Sequence, residues 1–250
     1  FHYYDQRGTG GSTKPFDRFE GGFMENMRRL EGTLGLGAQI ADIERIRRIL
    51  GIEKIDVIGH SFGGYIAALY AAEFPGQVGK LILAAPADVL VLPNENDLFE
   101  SVGALLPADR QAAYKDFRDR YFDFGSVFDK SEAELVALSA EIIPYYAEAA
   151  AAKGAPVPEI YAPSQPGGWM PMAVFFSMGG KSDFRAPLAH ITAPTLVIHG
   201  ADDLQTEAGS RSYADAIPGA KFVVMPETGH FMFHQNAGTT AELISDFLGR

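Results

Sequence analysis

Lys54-Ile55-Asp56-Val57-Ile58-Gly59-His60-Ser61-Phe62-Gly63-Gly64-Tyr65-Ile66-Ala67 is the stretch whose reading decides the fold. Its first half has β-branched residues at Ile55, Val57 and Ile58, in a run too short for a helix, and reads as a buried strand. Its second half, residues 65–74, is rich in Ala and Leu and reads as a helix. Between them lies Gly59-x-Ser61-x-Gly63. A strand that turns this sharply into a helix forces its apex residue into strained, left-handed backbone geometry. The neighbours must be small because the two backbones nearly touch, and Gly59, Gly63 and Gly64 meet that need. The Ser61 side chain would then stand clear of the sheet as a candidate nucleophile. The backbone N–H of Phe62, at a helix N-terminus, would point to where an oxyanion forms. A chance Gly-x-Ser-x-Gly in a loop is the alternative, and the strand before and helix after speak against it.

Upstream, Ile40, Ile43, Ile46, Ile49 and Leu50 fall on one helical face, with Asp42, Arg45 and Arg48 on the other and Gly51 as the stop. Downstream, residues 80–85 form the next strand. Helices alternating with strands imply a mostly parallel sheet covered on both faces. The rhythm breaks at Pro86 and resumes with a strand at 193–200, a helix around 210–217, a strand at 220–225 and a final helix at 239–248. In between, helical pieces at 104–122 and 130–154, the latter broken at Pro144, precede a Pro/Gly/aromatic stretch at 155–178. The expected organisation is a core in two parts, 1–86 and 191–250, around a mainly helical cap at 87–190.

Composition narrows the function classes. The chain has 250 residues, 47% of them hydrophobic, and can bury a sizeable core. No apolar run approaches a membrane-spanning length. A net charge of −11 argues against a nucleic-acid partner, whose phosphates demand a basic footprint. Of that charge most lies in the cap, where 15 acidic side chains face 8 basic ones. An acidic cap could attract a substrate amine, or it could be ordinary solvated surface. The absence of cysteine excludes disulfides and thiolate metal sites. Phe1-His2-Tyr3-Tyr4 reads as a strand already inside a fold, followed by a Gly-rich turn in which Asp5 and Arg7 could pair and Gly8 and Gly10 would take positive φ. A phosphate loop is excluded there, since no Gly-Lys-[Ser/Thr] ending follows.

In an open parallel sheet the working residues lie in loops beyond the strands' carboxyl ends. Three such loops carry Ser61, the pair Asp202-Asp203, and His230. Serine is a poor nucleophile near neutral pH; it needs an imidazole to take its proton and a buried carboxylate to fix that imidazole's tautomer. His234 competes with His230 from one helical turn further on, where packing or a rim role is the expectation. His60 and His199 suit supporting or core positions, and His2 and His190 have no context. His230 and His234 are the one pair of histidines at ligand-like spacing, but no acidic HExxH partner accompanies them, so neither a metal site nor a cofactor is expected. Trp169, Met170, Met172, Phe175, Phe176 and Met178 could wall an apolar substrate pocket, for which Trp169 and Phe175 are the candidates, or form the cap's own small core.

These residues together resemble the α/β-hydrolases, and most nearly the proline iminopeptidase (prolyl aminopeptidase) group. The matching stretches are Tyr4-Asp5-Gln6-Arg7-Gly8-Thr9-Gly10, Ala41-Asp42-Ile43-Glu44-Arg45-Ile46-Arg47, Leu50-Gly51-Ile52-Glu53-Lys54, Pro194-Thr195-Leu196-Val197-Ile198-His199-Gly200 and Gly229-His230. They cover the sheet, about half the chain, and leave the cap unmatched. The resemblance implies an α/β-hydrolase fold and an acid three residues after Gly200, which selects Asp203. It implies a serine hydrolase acting through an acyl-enzyme on small molecules or short peptides, with N-terminal proline residues first in line and a cytoplasmic setting. The elbow departs from the group's Gly-Gly-Ser-Trp-Gly: Gly59-His60-Ser61-Phe62-Gly63 is the form of many ester and C–C hydrolases. Carboxylesterase is therefore the second expectation, and a non-catalytic small-ligand-binding protein of the same fold the third. In the family, a His-Gly-Gly-type loop supplying the other oxyanion donor precedes the Asp-Gln-Arg-Gly strand. By that resemblance the working enzyme is expected to carry roughly fifty further residues at its N-terminus.

Overall fold

The computed structural model describes residues 2–94, 97–158 and 168–249. In chain order, helices α1 (Phe23–Leu34) and α2 (Leu36–Ile49) precede strand β1 (Ile55–His60), and α3 (Phe62–Glu73) leads to β2 (Val78–Ala84) and a short β3 (Val91–Leu92). Helices α4 (Leu98–Leu105), α5 (Gln111–Tyr121), α6 (Glu132–Ala140), α7 (Ile142–Ala152) and α8 (Trp169–Met178) follow, then a short β4 (Ser182–Asp183) and α9 (Arg185–Leu188). Strand β5 (Thr195–Gly200), α10 (Glu207–Ala216), β6 (Lys221–Met225), α11 (Met232–Gln235) and α12 (Ala237–Leu248) complete the described elements.

The four long strands form one parallel sheet in the order β1-β2-β5-β6. Ile58 faces Ile82 across the first pair, Leu83 faces Val197 across the second, and Ile198 faces Val223 across the third. Parallel neighbours need crossovers rather than tight turns, and α3 and α10 provide two of them. Strands β2 and β5 are sheet neighbours despite the long chain between them. The two-residue antiparallel ribbon pairing Val91 with Asp183 and Leu92 with Ser182 closes that excursion, so the chain returns close to where it left.

Two compact units are distinguishable. One comprises residues 1–39, 106–146 and 159–180; the other comprises 40–105, 147–158 and 181–250 and holds the sheet. The segment 87–190, expected as a single cap, thus contributes to both. The reason is that α4 and the end of α7 group with the sheet-bearing residues, whereas α5, α6 and α8 group with residues 1–39, α8 packing on α1. In the sheet-bearing unit, Ile82, Ala84, Leu196, Ile198, Met225, Met232 and Ile244 form a buried apolar cluster. In the other, Trp169 is only 1% exposed and its ring meets Phe19 edge-on at 4.7 Å and stacks on Phe128 at 5.6 Å.

Several local expectations change. Residues 2–5 pair with no strand, and Tyr3 is 91% exposed, because no described strand lies beside them to take their backbone bonds. Gly8 and Gly10 do take positive φ (81° and 50°), and Asp5 pins the turn by accepting the Gly11 N–H at 2.8 Å. The helix expected over 104–122 divides at Pro107, which lacks an N–H and restrains Leu106 before it. The break expected at Pro144 comes at Glu141 instead, and Pro144 rides in the first turn of α7, where its missing N–H costs nothing. On α2 the buried side includes Glu44, while Ile49 at the helix end is exposed. Arg47, Arg48 and Tyr70 all donate to the Glu44 carboxylate. Led by the Arg47 hydrogen bond, these donors hold its pKa at about 2 against the opposing effect of burial.

Candidate active site at the carboxyl ends of the strands

Ser61 stands between the last residue of β1 and the first of α3 with φ 55° and ψ −125°, so the left-handed apex expected from sequence is present. The turn is bolted from several sides. The Ser61 N–H donates to Ala84 O at 3.0 Å, and Ser61 O accepts from Gly64 N and Ala87 N, both at 2.9 Å. A Cβ on Gly59 would lie 2.3 Å from Gly63 O, and one on Gly64 would lie 3.0 Å from Pro86 Cβ. Gly63, also expected to be required for closeness, has open space where its Cβ would be, because its missing side chain faces away from the strand. Serine at a helix N-cap usually bonds a first-turn N–H with its hydroxyl. Ser61 makes no such bond, so its hydroxyl is not committed to the helix. Phe62 opens α3, and its N–H has no carbonyl one turn earlier to bond.

The candidate acid comes from the turn after β5. Gly200 ends that strand, and a Cβ there would lie 2.4 Å from Thr228 O, so the β5 and β6 turns approach as closely as backbones can. Across that gap Ala201 N bonds Met225 O and Asp202 N bonds Thr228 O, each at 2.9 Å. Of the two adjacent aspartates, Asp203 meets the histidine: its Oδ2 lies 2.8 Å from His230 Nδ1. Asp203 is 0% exposed, and Gln205 N donates to its other oxygen at 2.9 Å. Burial alone would raise the Asp203 carboxyl; the facing His230 and the Gln205 N–H outweigh it and hold the group below its ordinary range, as a carboxylate. A ring nitrogen carries one proton or none. Nδ1 that donates to Asp203 therefore takes nothing from Gln205 Nε2, 3.2 Å away, whose outlet is Ala85 O at 3.4 Å. Gln205 Oε1 accepts from Asp88 N at 2.8 Å.

The other histidines separate by environment. His60, beside the elbow, places Nε2 2.8 Å from His230 O, and the two rings lie 4.7 Å apart. Burial, reinforced by the nearby His230, depresses His60 to about 4, so it is neutral near pH 7 and donates that Nε2 proton to the carbonyl. His199 is buried on β5 with Nδ1 3.0 Å from Ser210 Oγ, and burial lowers its pKa. His234, His2 and His190 are exposed. Among the described residues, no three His, Cys, Asp or Glu side chains are grouped so as to hold a metal ion. No described helix is long and apolar enough to cross a membrane. In the other unit, Trp169 takes the packing role: its indole N–H donates to Asp17 O at 3.0 Å and its backbone N–H to Glu132 Oε2 at 2.8 Å. Phe175 is half-buried, with its ring 5.8 Å from that of Phe124.

A family model described as the alpha/beta hydrolase fold matches residues 1–237. Among curated relatives, a proline iminopeptidase of Lactobacillus delbrueckii subsp. lactis is 25% identical over 249 residues, covering 98% of this chain and 79% of its own length. A 2-hydroxymuconate semialdehyde hydrolase of Pseudomonas sp. (strain CF600) is 32% identical over 204 residues, covering 80% of this chain and 63% of its own. Among solved structures, a proline iminopeptidase of Mycobacterium smegmatis superposes with a TM-score of 0.66 at 23% identity, over 99% of this chain and 78% of that one. At that identity the structural likeness speaks for the fold alone.

Proposed function

We propose that this chain, which belongs to the α/β-hydrolase fold family, is a serine hydrolase in which Ser61, His230 and Asp203 act as nucleophile, base and acid. One observation carries the reading. A fully buried carboxylate, Asp203, sits 2.8 Å from His230 Nδ1, and His60, the residue before the strained Ser61, reaches the His230 carbonyl at 2.8 Å. With the Nδ1 proton committed to Asp203, Nε2 of a neutral His230 is left bare to accept a proton. In the proposed reaction Ser61 Oγ attacks the substrate carbonyl carbon as His230 Nε2 takes the hydroxyl proton. The carbonyl oxygen becomes an oxyanion facing the Phe62 N–H. His230 returns the proton to the departing amine or alcohol, leaving an acyl group on Ser61. Water, deprotonated by the same imidazole, then releases the acid.

The substrate class we propose is a small amide with a free N-terminal residue, proline first, as the iminopeptidase relatives suggest. The elbow Gly59-His60-Ser61-Phe62-Gly63 favours a second reading, a carboxylesterase on small esters. Proline p-nitroanilide and p-nitrophenyl butyrate, offered in parallel with Ser61→Ala as control, separate these. A larger kcat/KM on the anilide supports the aminopeptidase, and turnover of the ester alone supports the esterase. Ser61→Ala should lower kcat at least about 10⁴-fold on either substrate. Equal rates in wild type and variant would leave only a ligand-binding role.

A further inference from the structure

We infer that Gln235 is a positioning residue for His230, an inference that rests on the triad proposed above. Gln235 ends α11, one turn beyond the histidine. Its Oε1 lies 3.0 Å from Gly229 N and 3.1 Å from Phe231 N, so one oxygen accepts from the amides on both sides of His230. Its Nε2 lies 3.1 Å from Ala155 O and 3.1 Å from Pro156 O. A primary amide offers one twofold acceptor and two donor hydrogens. Here two donors face its oxygen and two carbonyls face its nitrogen, so a single orientation satisfies all four and the flipped one satisfies none. A carboxylate could serve only the first pair, and an ammonium only the second.

The backbone either side of the imidazole is thereby tied to a segment distant in sequence. His60 adds a third hold, on the carbonyl of His230 itself. Lys153 Nζ donates to Asp203 O, so the same 153–156 segment touches the acid's turn as well. An imidazole that must reach both a hydroxyl and a carboxylate tolerates little movement, and a displacement of about 1 Å can cost about 10²-fold in rate.

The test uses whichever of proline p-nitroanilide and p-nitrophenyl butyrate the wild type turns over. Gln235→Leu, similar in size but without polar atoms, should lower kcat roughly 10- to 100-fold with KM within about threefold. Gln235→Glu keeps the acceptor for both amides but turns its second oxygen on the Ala155 and Pro156 carbonyls, so it should recover only part of that kcat. Its added negative charge should move the acidic limb of the kcat–pH profile upward, because it favours the protonated imidazole. Wild-type kcat in Gln235→Leu overturns the inference, as does an unshifted acidic limb in Gln235→Glu. Should Gln235→Leu fail to fold, Gln235→Glu decides alone by its pH limb. Ser61→Ala in the same assay keeps two failures apart. Full turnover there refutes the triad and takes this inference with it. A dead Ser61→Ala beside an undiminished Gln235→Leu refutes the clamp alone.

Discussion

The turns at the carboxyl ends of β1, β5 and β6 and the aromatic cluster around Trp169 are held together by opposite means. The turns depend on backbone geometry: a serine at φ 55°, a Gly59 whose Cβ would strike Gly63 O, and hydrogen bonds of 2.8–3.0 Å across loops distant in sequence. The cluster depends on rings. Trp169 meets Phe19 and Phe128, Phe128 also stacks on Phe176 at 5.9 Å, and Phe124 reaches both Phe175 and Phe176 at 5.8 Å. Directional contacts fail abruptly when one atom moves, whereas dispersion and apolar burial are spread over many pairs and fail by degrees. Damage to the polar contacts of the turns should therefore be read in rate, and damage to the ring cluster or to the close backbone packing at Gly59 in stability.

The sharpest way to break this contrast is at the acid. Asp203→Asn should lower kcat about 10⁴-fold through the wrong imidazole tautomer, while Asp202→Asn stays within about threefold. Equal losses in steady-state kinetics would mean that the 2.8 Å contact does not select between them. Next in size, Trp169→Ala should cost about 3–5 kcal/mol in urea denaturation, as deletion of a large buried side chain does. A loss below about 1 kcal/mol would show that the ring does not anchor the cluster. The smallest effect sharpens the turn itself. Gly59→Ala should cost about 1–3 kcal/mol by overpacking. Gly63→Ala, with open space at the new methyl, should leave stability unchanged or raise it by up to about 1 kcal/mol. Indistinguishable melting curves for the two variants would remove the steric explanation of the elbow.

The same contrast explains what could be read in advance. The strand–Ser61–helix turn and the parallel sheet follow from glycines and β-branched runs, which are local signals with strict geometric meaning. Loop order brings the Asp202-Asp203 pair and His230 to one end of the sheet, and the family resemblance is what selects Asp203. The organisation of 87–190 did not follow. Whether α4 or α5 packs beside the sheet depends on apolar surfaces that many arrangements could satisfy, and Trp169 as pocket wall or as core has one and the same sequence. Gly63 departs from the motif's expectation more subtly: within the turn it is Gly59 and Gly64 that leave no room for a Cβ, whereas Gly63 has open space. Glu44 was hidden because a buried carboxylate is legible only once Arg47, Arg48 and Tyr70 are seen to converge on it. Gln235 carried no motif. Its spacing from His230 places it near the site, but its four partners come from two segments, 155–156 and 229–231, far apart in the sequence.

The ribbon of Val91-Leu92 with Ser182-Asp183 brings the ends of a long excursion side by side. For protein engineering this marks the splice points of a cassette, one constrained where its α8 packs on α1 and where its α4 groups with the sheet-bearing residues. Residues 155–156 lie within that cassette and anchor the Gln235 amide. A transplant that swaps the whole insert would therefore also release the Gln235 amide that ties the backbone beside His230, so donor segments should be spliced around Lys153–Pro156 and not through them.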